Sequence, residues 1–313
     1  MAKQVKPTRT TKTPAARAAA PVARRWLRRV LAHGILASLL AGTLAMGYYY
    51  ALAEVQSTNT SSDDPPRVAL RQRPPWMSDE VVADLLRSIA PHEPHSVYDS
   101  GLLKHCAEVL ESNPWVRKVV AVRRVYGRAP GDTIEVECEF RTPMALVRWQ
   151  DYYWLVDSEG CKLPEQYTAA QAPQMLFDAQ RRTQMRIIEG VRQPPVESGR
   201  RWPGEDLLAA LELSRLLQNQ RFADDVLKID VSNFGGRVDP REAQLTLITR
   251  FGSEIRWGRP ANAKDAFVEV PAQRKLEALE QIYAKFGRVD AMQPWIDIRF
   301  DQVTYPAQAD TSR

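Results

Sequence analysis

Apolar and polar positions fall into distinct textures along the chain. Val30 to Ala53 is a run of 24 residues without a formal charge. About 20 apolar residues suffice for a helix to cross a bilayer core, so the pattern predicts a transmembrane helix over 30–53. Ser57 to Pro75 is rich in Ser, Asp, Thr and Pro and reads as a linker (54–75), with Arg67 to Leu70 as its one strand candidate. Helical spacing follows. Val81, Val82, Leu85, Leu86 and Ile89 share one face of a helix over Asp79–Ile89, with Ser78 as its N-cap. Pro91 and Pro94 end it, and a second helix is predicted over Ser100–Leu110, with Leu102, Leu103, Cys106, Val109 and Leu110 inward. The period then drops to two. Val116 to Val125 reads as a strand, and Thr133 to Arg141 alternates Ile134, Val136, Cys138 and Phe140 against Glu135, Glu137 and Glu139. Gly127 to Gly131 supplies the turn between them. Arg123 and Arg124 are expected to meet Glu135 and Glu137 across the hairpin. Pro143 closes this unit, giving a boundary at Thr142 to Met144.

From Met144 onward short strand patterns dominate. They cover Leu146–Trp149, Tyr153–Val156, Met185–Ile188, Val226–Val231, Gln244–Phe251, Glu254–Trp257 and Ile296–Phe300. Two amphipathic helices interrupt them. One is Gly204–Leu217, with Leu207, Leu208, Leu211 and Leu216 or Leu217 inward. The other is Ala272–Phe286, with Leu276, Leu279, Ile282, Tyr283 and Phe286 inward. Gln193 to Pro203 is a polar, Pro-rich excursion, and Ala307 to Arg313 reads as a frayed, disordered tail. The expected class is α+β: a transmembrane helix, a small βααββ unit over 67–143 with helices on one face of its sheet, and a mixed β domain over 144–306 with two helices.

Charge adds direction to this picture. Residues 1–29 hold nine Lys or Arg and no acid, which leaves 34 bases and 38 acids, net −4, for the rest of the chain. Such one-sided charge keeps its own end in the cytoplasm, so the bulk of the chain is expected on the outer side. The basic tail lacks apolar residues for a core and is expected to be disordered, meeting anionic lipid headgroups rather than nucleic acid. Trp26 at the inner edge and Tyr48, Tyr49 and Tyr50 at the outer edge suit the membrane interface. Ala51-Leu52-Ala53 has the form of a signal-peptidase site, but the apolar run exceeds the roughly 7–15 residues of a signal sequence. The anchor is therefore expected to be retained.

Candidate chemistry is thin. His92, His95, His105 and Cys106 are the only grouping that suggests a metal, and HxxH across two prolines does not sit on one helix face. There is no GxSxG elbow, no Gly-rich phosphate loop and no HExxH. Neither a cofactor nor a small-molecule substrate is implied, and the chain is expected not to be an enzyme. Cys106, Cys138 and Cys161 are too few for a disulfide framework and are read as free thiols, with a Cys106–Cys138 bridge left open. Trp115 reads as a core aromatic locking a helix to the sheet, with a partner contact as the alternative. The last strand is the stronger candidate, because an edge offers unpaired N–H and C=O groups to a partner strand. Ile296, Ile298 and Phe300 are expected on the core face, with Asp297, Arg299 and Asp301 outward. Protection of the edge by those charges is the alternative.

Several strings then occur in a familiar order. Asn113-Pro114-Trp115-Val116 and Val122-Arg123-Arg124-Val125 are followed by Glu139-Phe140-Arg141-Thr142-Pro143-Met144-Ala145. Next come Tyr153-Trp154-Leu155-Val156-Asp157-Ser158-Glu159-Gly160, Ile188-Glu189-Gly190 and Ile255-Arg256-Trp257-Gly258. Ile296-Asp297-Ile298-Arg299-Phe300-Asp301 comes last. In this order, behind a membrane anchor, they resemble the bacterial FtsQ/DivIB cell-division family over about residues 30–305. The Tyr126–Gly131 turn is longer than the family's, and the Gln193–Pro203 insert is unfamiliar. The resemblance implies a polypeptide-transport-associated (POTRA) domain followed by an FtsQ-type β domain. It also implies a septum-enriched scaffold of the inner membrane, single-pass, that binds FtsB-like and FtsL-like partners. The residues it implies for that contact are Ile296, Asp297, Ile298, Arg299, Phe300, Asp301, Val303 and Tyr305. A POTRA scaffold for protein export or envelope assembly, and a membrane-tethered envelope enzyme, stand as the other readings.

Overall fold

The structure, a computed structural model, describes residues 21–58, 65–96, 99–125, 127, 132–176, 185–263 and 269–306. The tail before Pro21, most of the Tyr126–Gly131 turn and the Ala307–Arg313 tail lie outside the described residues. The chain divides into two units, Met1–Thr60 and Ser61–Arg313.

The first unit is helix α1, Pro21–Thr58. Its Arg29–Glu54 stretch of 26 residues is long and apolar enough to cross a membrane. The helix runs past the expected limits at both ends, since neither Arg24–Arg29 nor Val55–Thr58 contains a helix breaker. Trp26, Tyr48, Tyr49 and Tyr50 are exposed on it, as interfacial rings would be.

The second unit is mixed α+β. Strand β1 (Arg67–Leu70) is followed by α2 (Asp79–Ile89), α3 (Ser100–Ser112), β2 (Val116–Val125) and β3 (Thr133–Phe140). These build a sheet ordered β1-β3-β2, with β1 parallel and β2 antiparallel to β3. The Ser78 hydroxyl accepts the Val81 amide at the start of α2, and Asp99 caps α3 through the Gly101 and Leu102 amides. Leu85, Ile89, Leu102, Cys106, Leu110, Val116, Ile134 and Val136 form the core. One pairing differs from expectation. Arg123 faces Glu135 and binds it, but Arg124 lies opposite Ile134 and its guanidinium reaches the His95 carbonyl. Neighbours on a strand point to opposite faces, so the two arginines could not share one row of glutamates. Arg71 of the β1 exit takes Glu137 instead.

The chain continues through β4 (Pro143–Trp149), β5 (Tyr152–Asp157), β6 (Lys162–Thr168), α4 (Ala172–Leu176) and β7 (Arg186–Glu189). It ends with α5 (Glu205–Leu217), β8 (Val226–Asp230), β9 (Leu245–Thr249), β10 (Glu254–Gly258), α6 (Ala272–Phe286) and β11 (Trp295–Asp297). The eight strands form one sheet ordered β11-β10-β9-β8-β7-β4-β5-β6. Pro143 opens β4, where a missing N–H is tolerated. Strand β6 and helix α4 have no counterpart in the periodicity, because Pro164 interrupts the first and the second is barely one turn.

Alternation sends the two faces of this sheet into different cores. Val147, Val156, Ile188, Ile229, Leu247, Ile255 and Ile296 pack with Leu207, Leu211, Leu279 and Ile282 of α5 and α6. On the other face Leu146, Tyr153, Leu155, Leu163 and Ile187 pack with Leu176 and with Trp115 from the βααββ segment. Trp76 and Val81 border that second cluster, and the Trp76 and Trp115 rings lie 5.7 Å apart. Trp115 therefore belongs to the core shared by the two sheets. Arg141 reinforces the junction through Asp157, whose other oxygen accepts the Glu159 and Cys161 amides.

The Gln193–Pro203 excursion is part of this junction. Arg201 bridges Cys161, and hydrogen bonds link Lys162 to Arg200 and Gly199. Trp202 is buried and its indole N–H donates to the Gln193 carbonyl. Gly199, at φ +85°, would place a Cβ 3.3 Å from the Pro114 Cα, so the strap approaches the residue before Trp115 closely.

Candidate functional site

Strand β11 lies at one edge of the large sheet, parallel to β10, with Ile296 opposite Ile255 and Asp297 opposite Arg256. Ile298 still donates to the Arg256 carbonyl. The strand itself ends at Asp297, three residues short of the expected Phe300. Ile296 and Ile298 are buried as expected. Phe300 is not a core residue: it is 41% exposed, because the chain turns before the alternation could carry it inward.

Asp297 also departs from the expectation of an outward charge. Its carboxylate is buried and holds the Arg299 guanidinium in a fork, with Nε at 3.0 Å and Nη2 at 2.7 Å. The same carboxylate accepts the Arg299 amide, and Nη1 of Arg299 reaches the Arg241 carbonyl. The pair raises the Arg299 pKa, although burial opposes it. The Arg299 carbonyl accepts the Val270 amide. Both main-chain groups and the side chain of Arg299 are thus engaged within the chain, which makes Arg299 a positioning residue for this turn.

The outward main-chain groups of Asp297 are also satisfied. Asp297 and Thr304 exchange N–H···O bonds of 2.9 and 3.0 Å in an antiparallel bridge. The chain folds back over its own edge at that point. The planar trans peptides on either side of Thr304 then turn the Val303 C=O and the Tyr305 N–H away from Asp297. The outermost edge of the sheet is therefore the Val303–Tyr305 segment. Nothing in DQVTYP announced the bridge, since one residue pair carries no periodicity.

Beside this edge runs a groove of about 440 Å³ between α6 and the 298–305 segment. Ile282, Phe286, Ile298, Phe300, Val303 and Tyr305 supply its apolar lining, and Asp301 and Lys285 add charge. Sequence periodicity had placed Ile282 and Phe286 on the buried face of α6 without showing that the face continues into an open groove. Below it, Lys275 is buried and donates to Glu269 and to the Trp257 carbonyl, both at 2.7 Å. Desolvation lowers its pKa against the pull of Glu269. Glu269 also accepts the Arg259 amide, so this network fixes the segment that leads into α6.

The remaining candidates do not come together. His92 and His105 are exposed, and His95 pairs with Asp99 at 3.1 Å. Cys106 is buried in the small core, its thiol toward the Ile89 carbonyl. Cys106, Cys138 and Cys161 are free; burial raises each thiol pKa, that of Cys138 to about 11. Among the described residues, Asp157, Glu159 and Cys161 are the one set with metal-ligand atoms in reach of each other. Arg141 binds both carboxylates and Arg117 binds Glu159, so the set is already neutralised by cations.

A second acidic centre carries a pH dependence. Asp290 is buried and accepts Ser253 Oγ at 2.6 Å, the Met292 amide and the Arg288 guanidinium. Burial would raise its pKa, but these bonds hold it below the ordinary value. A depressed carboxylate pKa stabilises the fold above the unfolded value near 4, and that contribution is lost as pH falls through the folded value. Asp290→Asn is expected to cost about 2 kcal/mol at pH 7 and to flatten the loss of stability below about pH 4. Urea unfolding of the Ser61–Arg313 unit across pH checks this; an unchanged acid limb would refute it.

Comparison with protein-family models and with curated proteins returns no match to this chain.

Proposed function

We propose that the chain is a membrane-anchored, non-enzymatic binding protein that presents its terminal sheet edge to a partner. More specifically, the reading is a divisome scaffold of the FtsQ/DivIB kind, with 67–143 as its POTRA domain and 144–306 as its β domain. It would lie in the inner membrane with Lys3 to Arg29 cytoplasmic and bind FtsB-like and FtsL-like single-pass proteins at the septum. The observation that carries the reading is the combination at the terminal edge. The Val303 C=O and the Tyr305 N–H face outward beside an apolar groove, the arrangement that strand addition uses. The ordered motifs and the candidate membrane helix Arg29–Glu54 support it further.

A fluorescent fusion to the N-terminus, expressed in the native cell, tests the biological half of the reading. Enrichment at mid-cell before constriction is expected. A uniform envelope signal would favour an export or assembly scaffold instead.

A further inference from the structure

Helix α6 begins without a side-chain cap. Pro271 stands at its N-cap position, and no acid occurs in its first turn. The Arg274 and Lys275 amides donate to the Pro271 carbonyl. The two amides before them, of Ala272 and Gln273, are ones that a helix start leaves without an intrahelical acceptor. A cavity of about 30 Å³ lies against this turn, with Trp257, Arg259, Glu269, Pro271, Ala272 and Lys275 among its walls. It has room for one occupant of the size of a water molecule or a chloride ion.

The donors around this cavity outnumber the acceptors. Trp257 is fully buried, and its indole N–H has no partner, a costly state for an enclosed donor. Lys275 is 3% exposed. It leans toward the helix start, as helical side chains do, and gives two of its three N–H bonds to Glu269 and to the Trp257 carbonyl. Burial lowers its pKa although Glu269 and Asp297 pull the other way, with Arg299 opposing them. Its charge is therefore not fully answered. Glu269 is the one carboxylate in the wall, and it already accepts from Lys275 and from the Arg259 amide. A water molecule placed here must also find acceptors for its own two hydrogens. An anion accepts from every side and needs none, and it meets the positive end of the helix dipole.

We infer that this cavity binds one small monovalent anion of chloride size. Its donors are the indole N–H of Trp257, the third N–H of Lys275 and the amides of Ala272 and Gln273. The small volume and the neighbouring Glu269 carboxylate exclude a phosphate. The ion ties the end of β10 to the start of α6, the helix that walls the groove.

The test is urea unfolding of the full chain in a nonionic detergent, followed by tryptophan fluorescence. Sodium chloride replaces sodium gluconate at constant ionic strength, so general screening stays the same. Between zero and about 0.1 M chloride the unfolding constant is expected to fall about ten-fold, as a dissociation constant near about 10 mM gives. Trp257→Phe removes the indole N–H. Ala272→Pro removes the first amide at a position where a helix accepts proline. Each variant is compared with itself in the two salts, so lost stability is not counted as lost binding. The chloride effect is expected to drop below about two-fold in both. R87Q, on the exposed side of α2, is expected to keep it. Equal unfolding of the native chain in chloride and gluconate would overturn the site and leave water as the occupant. So would an undiminished effect in either variant, or its loss in R87Q. If Trp257→Phe does not fold, Ala272→Pro alone decides.

Discussion

Trp115→Ala is expected to destabilise the Ser61–Arg313 unit by about 3–5 kcal/mol, the usual range for removing a buried tryptophan. Trp115 is 7% exposed and lies among Leu146, Leu155, Leu163 and Ile187 of the large sheet, yet it is placed by the Asn113–Val116 turn of the small one. The cavity would open in the core common to both. The loss should therefore appear as one lowered transition, by roughly 10 °C for a unit of this size. Hydrogen exchange should quicken in β5 and β6 as well as in β2. Val136→Ala provides the contrast, because Val136 lies in the small core, and its effect should centre on β1 to β3. If Trp115→Ala cost less than about 1 kcal/mol, or disturbed β2 alone, the shared core would be wrong. The same contacts bear on an excised βααββ segment ending at Pro143. Its Trp76, Val81 and Trp115 would lose the large-sheet side of their cluster, so its melting is expected to fall below that of the whole unit.

Much of this fold is readable from periodicity, and the misses share physical causes. The two small-unit helices and the β2–β3 hairpin lie close to their expected limits, because one solvated face makes the apolar pattern plain. Arg186 shows the opposite case. It lies within the expected Met185–Ile188 strand and is fully buried. Its guanidinium donates to the Ser214 and Ala223 carbonyls and, at 3.5 Å, to that of Leu217, where α5 ends and needs donors. Desolvation lowers its pKa to about 10, and its Nε has no partner. A helix end distant in sequence is invisible to a local pattern. The role of the Gln193–Pro203 strap is hidden for a similar reason: its backbone pairs with Lys162 of β6, and of its side chains Trp202 enters the core with Val196 packed against it. At the candidate site, Ile296 and Ile298 were legible as core. The Asp297–Arg299 fork and the Thr304 bridge were not, since both depend on where the chain turns after the strand.

Those two features decide how the partner edge should be tested, and the expected effect there is the largest on binding. Proline at Arg299 would be a poor probe: its N–H already serves Asp297, so the substitution would disturb the turn without exposing a role in a ladder. The outward amide of Tyr305 is the better target. Tyr305→Pro removes one donor from the outer edge and leaves the Asp297–Thr304 pair its own amides. In the groove, Phe300→Ala and Tyr305→Ala remove the two most exposed apolar side chains of the lining. If a partner adds a strand along 303–305 and seats apolar side chains in the groove, each of the three changes should weaken binding. About 30-fold is expected of each alanine change, the level of an interface hot spot near 2 kcal/mol. Tyr305→Pro should lose more than Tyr305→Ala, because alanine keeps the amide. Melting of each variant, measured alongside, separates lost binding from lost fold. A folded Tyr305→Pro chain that binds FtsB-like and FtsL-like segments as tightly as the native chain would exclude strand addition at this edge. Equal loss in Tyr305→Pro and Tyr305→Ala, together with loss in Phe300→Ala, would instead mark the groove as the whole site, with a helix rather than a strand as its occupant.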